Sequence, residues 1–353
     1  MDFMLPIKIE APAQRINYRD KIMVVGSCFT EHIGNKLEEL KFSMLQNPNG
    51  ILFDPRSVAF SLISYVQNKN YSEKDLVQLN EVWQSWQHHS RFSDLDVSNC
   101  LEQINASQLK AHLFLQNANW LIITLGSSFS YHLTELAAPH TGAVANCHRA
   151  PAQWFNKHMM SIEEINSALD SCIHQLWRFN PKLKIIFTVS PVRHIRDGVI
   201  ENNRSKARLL EVVHHLVNKF DGLHYFPAYE LVIDVLRDYR FYDVDLVHPN
   251  YAATEFVLEK FAENYIDDES RAIMEEVKKI TIARKHKAFQ PGTNAHQLFL
   301  QSHYKKAHDL SLKYPFLNLE EELRYFNPSP KTPPASPVIS AGLMPGSDSA
   351  QDK

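Results

Sequence analysis

The sequence predicts an α/β fold, a parallel sheet covered by helices on both faces, with a helical C-terminal extension. Three observations carry that expectation. Strand and helix periods alternate over most of the 353 residues, the pattern of a sheet crossed by helices. The apolar runs KIMVVG, WLIITL and KIIFTV have the length of strands buried on both faces. After Asn250 the alternation stops and helical, charged segments take over.

Lys21 to Gly26 reads as the first buried strand and runs into a helical pattern over Thr30 to Leu40, with Ile33, Leu37 and Leu40 on one face. A second helix is expected over Pro55 to Gln67, proline suiting its first turn. Glu81 to Leu95, aromatic and alternating, reads as an inserted hairpin or extended loop. A helix from Asn99 to Asn117 leads into the strand Trp120 to Leu125. Ser161 and Glu164 have capping-box spacing, so a helix begins there and runs to Phe179. The strand Lys184 to Val189 ends at Ser190-Pro191. A helix from Asn203 to Phe220 and a short strand at Leu223 to Phe226 close the series. Ala252 to Lys287 and Ala295 to Leu312 read as helical. The chain therefore divides into a sheet domain at 1–262, a helical extension at 263–327 and a proline- and serine-rich tail at 328–353, expected to be disordered.

A formal net charge of -3 excludes a polyanion-coating surface, so no nucleic-acid partner is expected. No apolar run approaches the roughly 18–20 residues of a membrane span, so no membrane partner is expected either. The N-terminus lacks the features of a secretory signal. Cys28, Cys100, Cys147 and Cys172 are scattered, as in a reduced, cytoplasmic protein. No Walker A loop or G-x-G-x-x-G is present, so no organic cofactor is expected.

Ser27 lies where a buried strand ends and a helix begins, the edge at which open parallel sheets form ligand crevices. There its hydroxyl can act as a nucleophile beside helix-terminal N–H groups, or it can serve as an ordinary helix N-cap. Asp245 and His248, three residues apart ahead of the last helices, offer a carboxylate that fixes an imidazole and an imidazole that takes a serine's proton. The alternative is a surface loop pair. G-x-S-x-G is absent, which sets aside the usual α/β-hydrolase elbow.

Other candidates have equally plain alternatives. His88 and His89 are adjacent, so on a strand they face opposite ways and do not share an ion; one suits the crevice rim and the other a structural place. None of the 18 histidines falls in a strong zinc spacing, and no metal is expected. Arg193, past the third strand, can hold a substrate anion, or pair with Asp197 or another acid and merely pin the loop. Asn203 and Lys206 read as helix-start residues, with substrate contact as the lesser alternative. Cys28 reads as a small buried side chain. Trp83, Trp86 and Trp154 can stack on sugar or pack a core, and packing is favoured.

GSCF at Gly26 to Phe29, followed in order by NPNGILFDP, HHSRFS, ITLGSSFSY, VANCH, TVSPVRHIRDG and DVDLVHPN, resembles the GSCFA-domain family, a branch of the SGNH (GDSL-like) hydrolases, over Lys21 to Phe261. The resemblance implies a three-layer α/β/α sandwich with a five-stranded, flavodoxin-like parallel sheet. It implies Ser27 as nucleophile, His248 as base and Asp245 as orienting acid, with Gly50 of Asn47-Pro48-Asn49-Gly50 at the oxyanion hole. The superfamily's third block carries G-x-N-D, whereas Leu125-Gly126-Ser127-Ser128 has no asparagine; a serine hydroxyl or Asn146 is the replacement donor to look for. The full set of expected oxyanion and substrate contacts is Cys28, Asn49, Gly50, His89, Gly126, Ser127, Asn146 and Arg193.

The implied activity is ester hydrolysis, with an acylated (acetylated) carbohydrate or glycoconjugate as substrate. The alternatives are an O-acyltransferase using the same triad, and a degenerate hydrolase that binds a glycan or partner without turnover. The charged C-terminal helices are most simply a solvated cap, and they also suit closure over the crevice or homo-oligomer formation.

Overall fold

The computed structural model describes residues 4–327; the tail expected to be disordered lies outside the described residues. In chain order, β1 (Lys21–Gly26) leads through α1 (Cys28–Glu39) to β2 (Ser43–Gln46), and α2 (Pro55–Val66) leads to a hairpin of β3 (Val77–Leu79) and β4 (Val82–Gln84). α3 (Val97–Gln116) enters β5 (Trp120–Leu125), and β6 (Phe129–Leu133), β7 (Ala143–Val144) and β8 (Phe155–Met159) follow. α4 (Ile162–Phe179), β9 (Lys184–Val189), α5 (Gly198–Lys219) and β10 (Leu223–Tyr225) complete the alternation. A short turn, α6 (Ala228–Glu230), continues as a π-helical segment over Leu231–Leu236 before α7 (Tyr251–Tyr265), α8 (Asp268–Lys285), α9 (Asn294–Lys313) and α10 (Glu320–Phe326).

The expected α/β/α architecture is present. Five strands form one sheet in the order β10-β9-β5-β1-β2, and every neighbouring pair is parallel. That is the flavodoxin-like order, whose topological switch point falls between the first and third strands, here between β1 and β5. Alternate residues serve opposite layers. Ile22, Val24, Trp120, Ile122 and Ile186 pack under α1 and α7, while Met23, Val25, Leu121, Ile123, Ile185 and Phe187 pack under α2 to α5. Burying such side chains contributes about 1.5–3 kcal/mol each. β6, β7 and β8 make a separate antiparallel sheet, β7-β6-β8.

Local signals explain the best-placed helices. Pro55 occupies the first turn of α2 and Asp54 caps it by accepting from Ser57 N–H at 3.0 Å. In α4 both bonds of the capping box form between Ser161 and Glu164. The stretch read as helical over Ala252 to Lys287 is two helices. Ile266 leaves the helix to pair with Ile16, and Asp267 opens α8 by accepting from Ser270 N–H at 2.7 Å. α8 to α10 add Ile273, Val277, Ile280, Leu310 and Phe326 to the same core as Val24 and Trp120. Among the described residues, no helix is long and apolar enough to cross a membrane.

Candidate active site

The end of β1 is shaped by Gly26. Its φ is +144°, and a Cβ there would stand 2.1 Å from the Thr124 carbonyl oxygen, so only glycine allows β1 and β5 to meet this closely at the switch point. Ser27 follows, 1% exposed, with its N–H donated to Thr124 O at 3.1 Å. It holds the N-cap position of α1 with extended backbone, yet its Oγ makes no capping bond. That hydroxyl has no hydrogen-bond partner at all. A buried hydroxyl left unmatched costs about 1–3 kcal/mol, and the N-cap reading of Ser27 fails for want of the bond that defines it.

The loop ahead of α7 holds Asp245 and His248. Oδ2 of Asp245 lies 2.6 Å from Nδ1 of His248, and Oδ1 accepts the N–H groups of Val247 and His248 at 2.9 and 3.0 Å. The His248 ring, and after it those two N–H groups, holds the Asp245 carboxyl down at about 2. Both side chains are nearly half exposed. Arg193 pins the loop, its N–H donating to Val247 O at 3.3 Å and its Nη1 to Leu246 O at 3.0 Å. Its guanidinium stacks 4.2 Å from the Tyr242 ring centre. The sequence reading of Arg193 as a residue that pins its loop agrees with these bonds, but the partners are backbone carbonyls, since Asp197 pairs with Lys157. Leu246 adopts φ +58°, a conformation that non-glycine residues hold only where surroundings enforce it.

Ser27 follows β1, and Arg193 ties the Asp245–His248 loop to the segment after β9, with no hydrogen bond from Ser27 Oγ to that loop. Gly126, which follows β5, packs close enough that an added Cβ would stand 3.3 Å from both Ser27 Cβ and Phe53 Cδ1. The Phe53 ring meets His194 edge-on at 5.5 Å, and His194 lies within electrostatic range of Lys206 and His248. Burial first, then the Lys206 charge, pushes the His194 imidazole down to about 4. Since Ser27 Oγ has no partner, His248 stands outside hydrogen-bond reach of it here.

Most expected oxyanion donors are already committed. Gly50 donates its N–H to Asn47 O at 2.7 Å, and Gly126 and Ser127 donate theirs to Phe53 O at 2.8 and 3.0 Å. Ser127 Oγ accepts from Phe129 N–H at 3.1 Å and lies 3.3 Å from Ser205 Oγ. Asn146 accepts from His148 N–H and gives its own N–H to Trp86 O; no described contact brings it to Ser27. Two donors remain. Cys28 N–H, in the first turn of α1, has no carbonyl of its own helix to bond. The Asn49 carboxamide is buried, and neither of its polar atoms has a partner.

Burial pushes the Cys28 thiol up, against the first-turn N–H groups and Lys206. His89 is half-buried, with its Cβ packed where a side chain on Gly50 would stand. His88 is buried with Nδ1 2.8 Å from Ser85 Oγ. Trp86 is buried against Phe155. Among the described residues no group of three or more His, Cys, Asp or Glu could hold a metal ion. A cavity of about 470 Å³ opens beside α2, lined by Arg56, Lys69, Tyr71 and Trp86; none of Ser27, Gly126 and His248 lines it.

Sequence reading undervalued Lys206. Instead of opening a helix it is fully buried within α5, donating to Gly126 O and Ser190 O at 2.6 Å each. The available signal was periodicity: Asn202, Lys206, Leu209 and Val213 follow the i, i+4, i+7, i+11 stripe of a buried helix face.

Residues 21–261 match the model of the GSCFA family, and residues 277–329 match that of the GSCFA domain protein, C-terminal domain. No curated protein matches the chain. Among solved structures, the chain is similar to a carbohydrate esterase family 3 protein from Talaromyces cellulolyticus, at 10% identity over 74% of this chain and 99% of that one, with a TM-score of 0.34. It is also similar to an acetyl esterase mutant with acetate ion, at 11% identity over 74% and 99% of the two chains, TM-score 0.35. A family 3 carbohydrate esterase from Clostridium thermocellum gives 11% identity over 72% and 98%, TM-score 0.32.

Proposed function

The chain belongs to the GSCFA family, and from that membership we propose that it is a serine esterase of SGNH type, acting on acyl esters, acetyl esters among them, of a carbohydrate or glycoconjugate. The observation that carries the reading is Ser27: a buried hydroxyl with no partner, at the switch point of a flavodoxin-like sheet. The Asp245–His248 pair supplies the rest of a triad. With Nδ1 on Asp245, His248 has Nε2 left for the serine.

In the proposed reaction Ser27 Oγ bonds to the ester carbonyl carbon while its proton passes to His248 Nε2. The carbonyl oxygen becomes an oxyanion, facing the N–H of Cys28 and the amide of Asn49. The acyl–alcohol bond then breaks, and the alcohol leaves with the proton from Nε2. Water repeats the sequence on the acyl-serine and releases the acid. Catalytic hydrogen bonds in a free enzyme are often open until substrate arrives, and the bond from Ser27 Oγ to His248 Nε2 closes when the ester binds.

Labelling with a fluorophosphonate followed by peptide mapping tests the assignment. Covalent modification of Ser27, with hydrolysis of a short-chain acyl ester lost in Ser27→Ala, is the expected result. Unchanged turnover in that variant would overturn it.

A further inference from the structure

We infer that Lys206 is the positioning cation of the crevice, an ammonium that clamps the ends of β5 and β9 together and sets a positive charge beside the Ser27 oxyanion; this rests on the esterase reading of Ser27. The clamp is direct. Gly126 and Ser190 are the first residues past their strands, Ser190 N–H still reaches Leu125 O at 2.9 Å, and Nζ takes both next carbonyls at 2.6 Å. One partner, Gly126, packs against Ser27. The other, Ser190, starts the segment whose Arg193 holds the Asp245–His248 loop. A single side chain thus sets the spacing between the serine and its base.

The charge is unusual because nothing neutralises it. Among the described residues no carboxylate lies within ion-pair distance of Nζ. The titratable groups facing it are Cys28 from α1 and His194 from the loop after β9, and burial keeps both uncharged by raising the thiol and lowering the imidazole. A buried cation without a counter-ion is costly, and an anion forming on Ser27's substrate is the counter-ion the site lacks. Fixed charge set near developing charge is usually the largest single term in transition-state stabilisation.

Clamp and charge separate by pH. Burial pushes Lys206 down to about 7, and the neutral amine keeps two N–H groups for the two carbonyls while losing the charge. The test is the rate of Ser27 phosphonylation by a fluorophosphonate between pH 6 and 9, in the wild type, Lys206→Arg and Lys206→Met, with the wild-type Nζ proton followed by NMR of labelled lysine. The wild-type rate is expected to pass a maximum and fall as Nζ deprotonates, while Lys206→Arg, charged throughout, shows the same rise and no fall. Lys206→Met is expected to react roughly a hundredfold more slowly. A wild-type rate that stays level through the Nζ titration overturns the inference, even if neither variant folds. So does a folded Lys206→Met that reacts at the wild-type rate. Absence of labelling at Ser27 in the wild type at every pH would instead overturn the esterase reading.

Discussion

Asp245 grips His248 twice, through Oδ2 at 2.6 Å from the ring Nδ1 and through Oδ1 at 3.0 Å from the backbone N–H. Ring orientation and loop shape therefore depend on one carboxylate. Asp245→Asn should lower kcat for an acyl ester by about 10³–10⁴-fold, because an amide cannot hold the same imidazole tautomer. The His248 ring keeps the Asp245 carboxyl at about 2, so it stays charged from pH 4 to 8 and no activity change in that range should arise from it. Steady-state kinetics of the two proteins over that range checks both points.

Ser27→Ala should be at least as stable as the wild type, gaining about 1 kcal/mol, since the variant removes a buried hydroxyl that no group satisfies. Thermal unfolding measures this. A loss of stability would mean that Oγ has a structural bond, contrary to its role as a waiting nucleophile.

Gly26→Ala should fail to hold the switch point. The added Cβ would stand 2.1 Å from a backbone oxygen at a left-handed φ, and neither strand can yield without breaking the ladder. A loss of about 3 kcal/mol or more is expected, read as a lower urea midpoint.

Glu321 and Glu322 are neighbours with opposite expected sensitivities. Glu322 is wholly buried, between Lys41 at 3.0 Å and Arg284 at 3.2 Å. Glu322→Ala removes the buried carboxylate between them, leaving both cations to Glu321 alone, and should cost about 2–3 kcal/mol. Glu321, whose side chain is 64% exposed, should lose no more than about 1 kcal/mol on the same change. Paired urea titrations decide.

His88 is held down at about 3, first by burial and then by the Lys69 charge. Its folded value lies below its unfolded one, so the unfolded chain takes up the proton first and stability falls as pH drops from about 6.5 towards 3. His88→Phe should flatten that decline relative to the wild type. Urea midpoints at several pH values in that window supply the comparison.

The strands β1, β5 and β9 were legible because each is a continuous apolar run with helices on both sides, and α4 because its capping box is written in Ser161 and Glu164. β2 escaped notice: Ser43–Gln46 is an edge strand with only Leu45 buried, so it carries no run. β6 and β8 escaped as well, since they pair outside the main sheet and bury little. Within the site, Ser27, Asp245 and His248 were readable as residue types in order. Which N–H groups remain free was not readable, because the turn at Asn47–Gly50 and the Phe53 carbonyl claim donors that sequence alone leaves open. Lys206 was hidden by its charge, which reads as solvated until a buried stripe is traced through it.

The apolar flank shared by α7 to α10 and the sheet bears on how this polypeptide can be shortened. Ending it at position 262 would remove Tyr265, whose hydroxyl reaches Tyr225 O at 2.9 Å, and Phe316, whose ring tilts against Tyr18, itself stacked on Phe42. The remaining piece would present a broad greasy wall to water. Light scattering should find it clumping, even with every residue of the proposed triad retained.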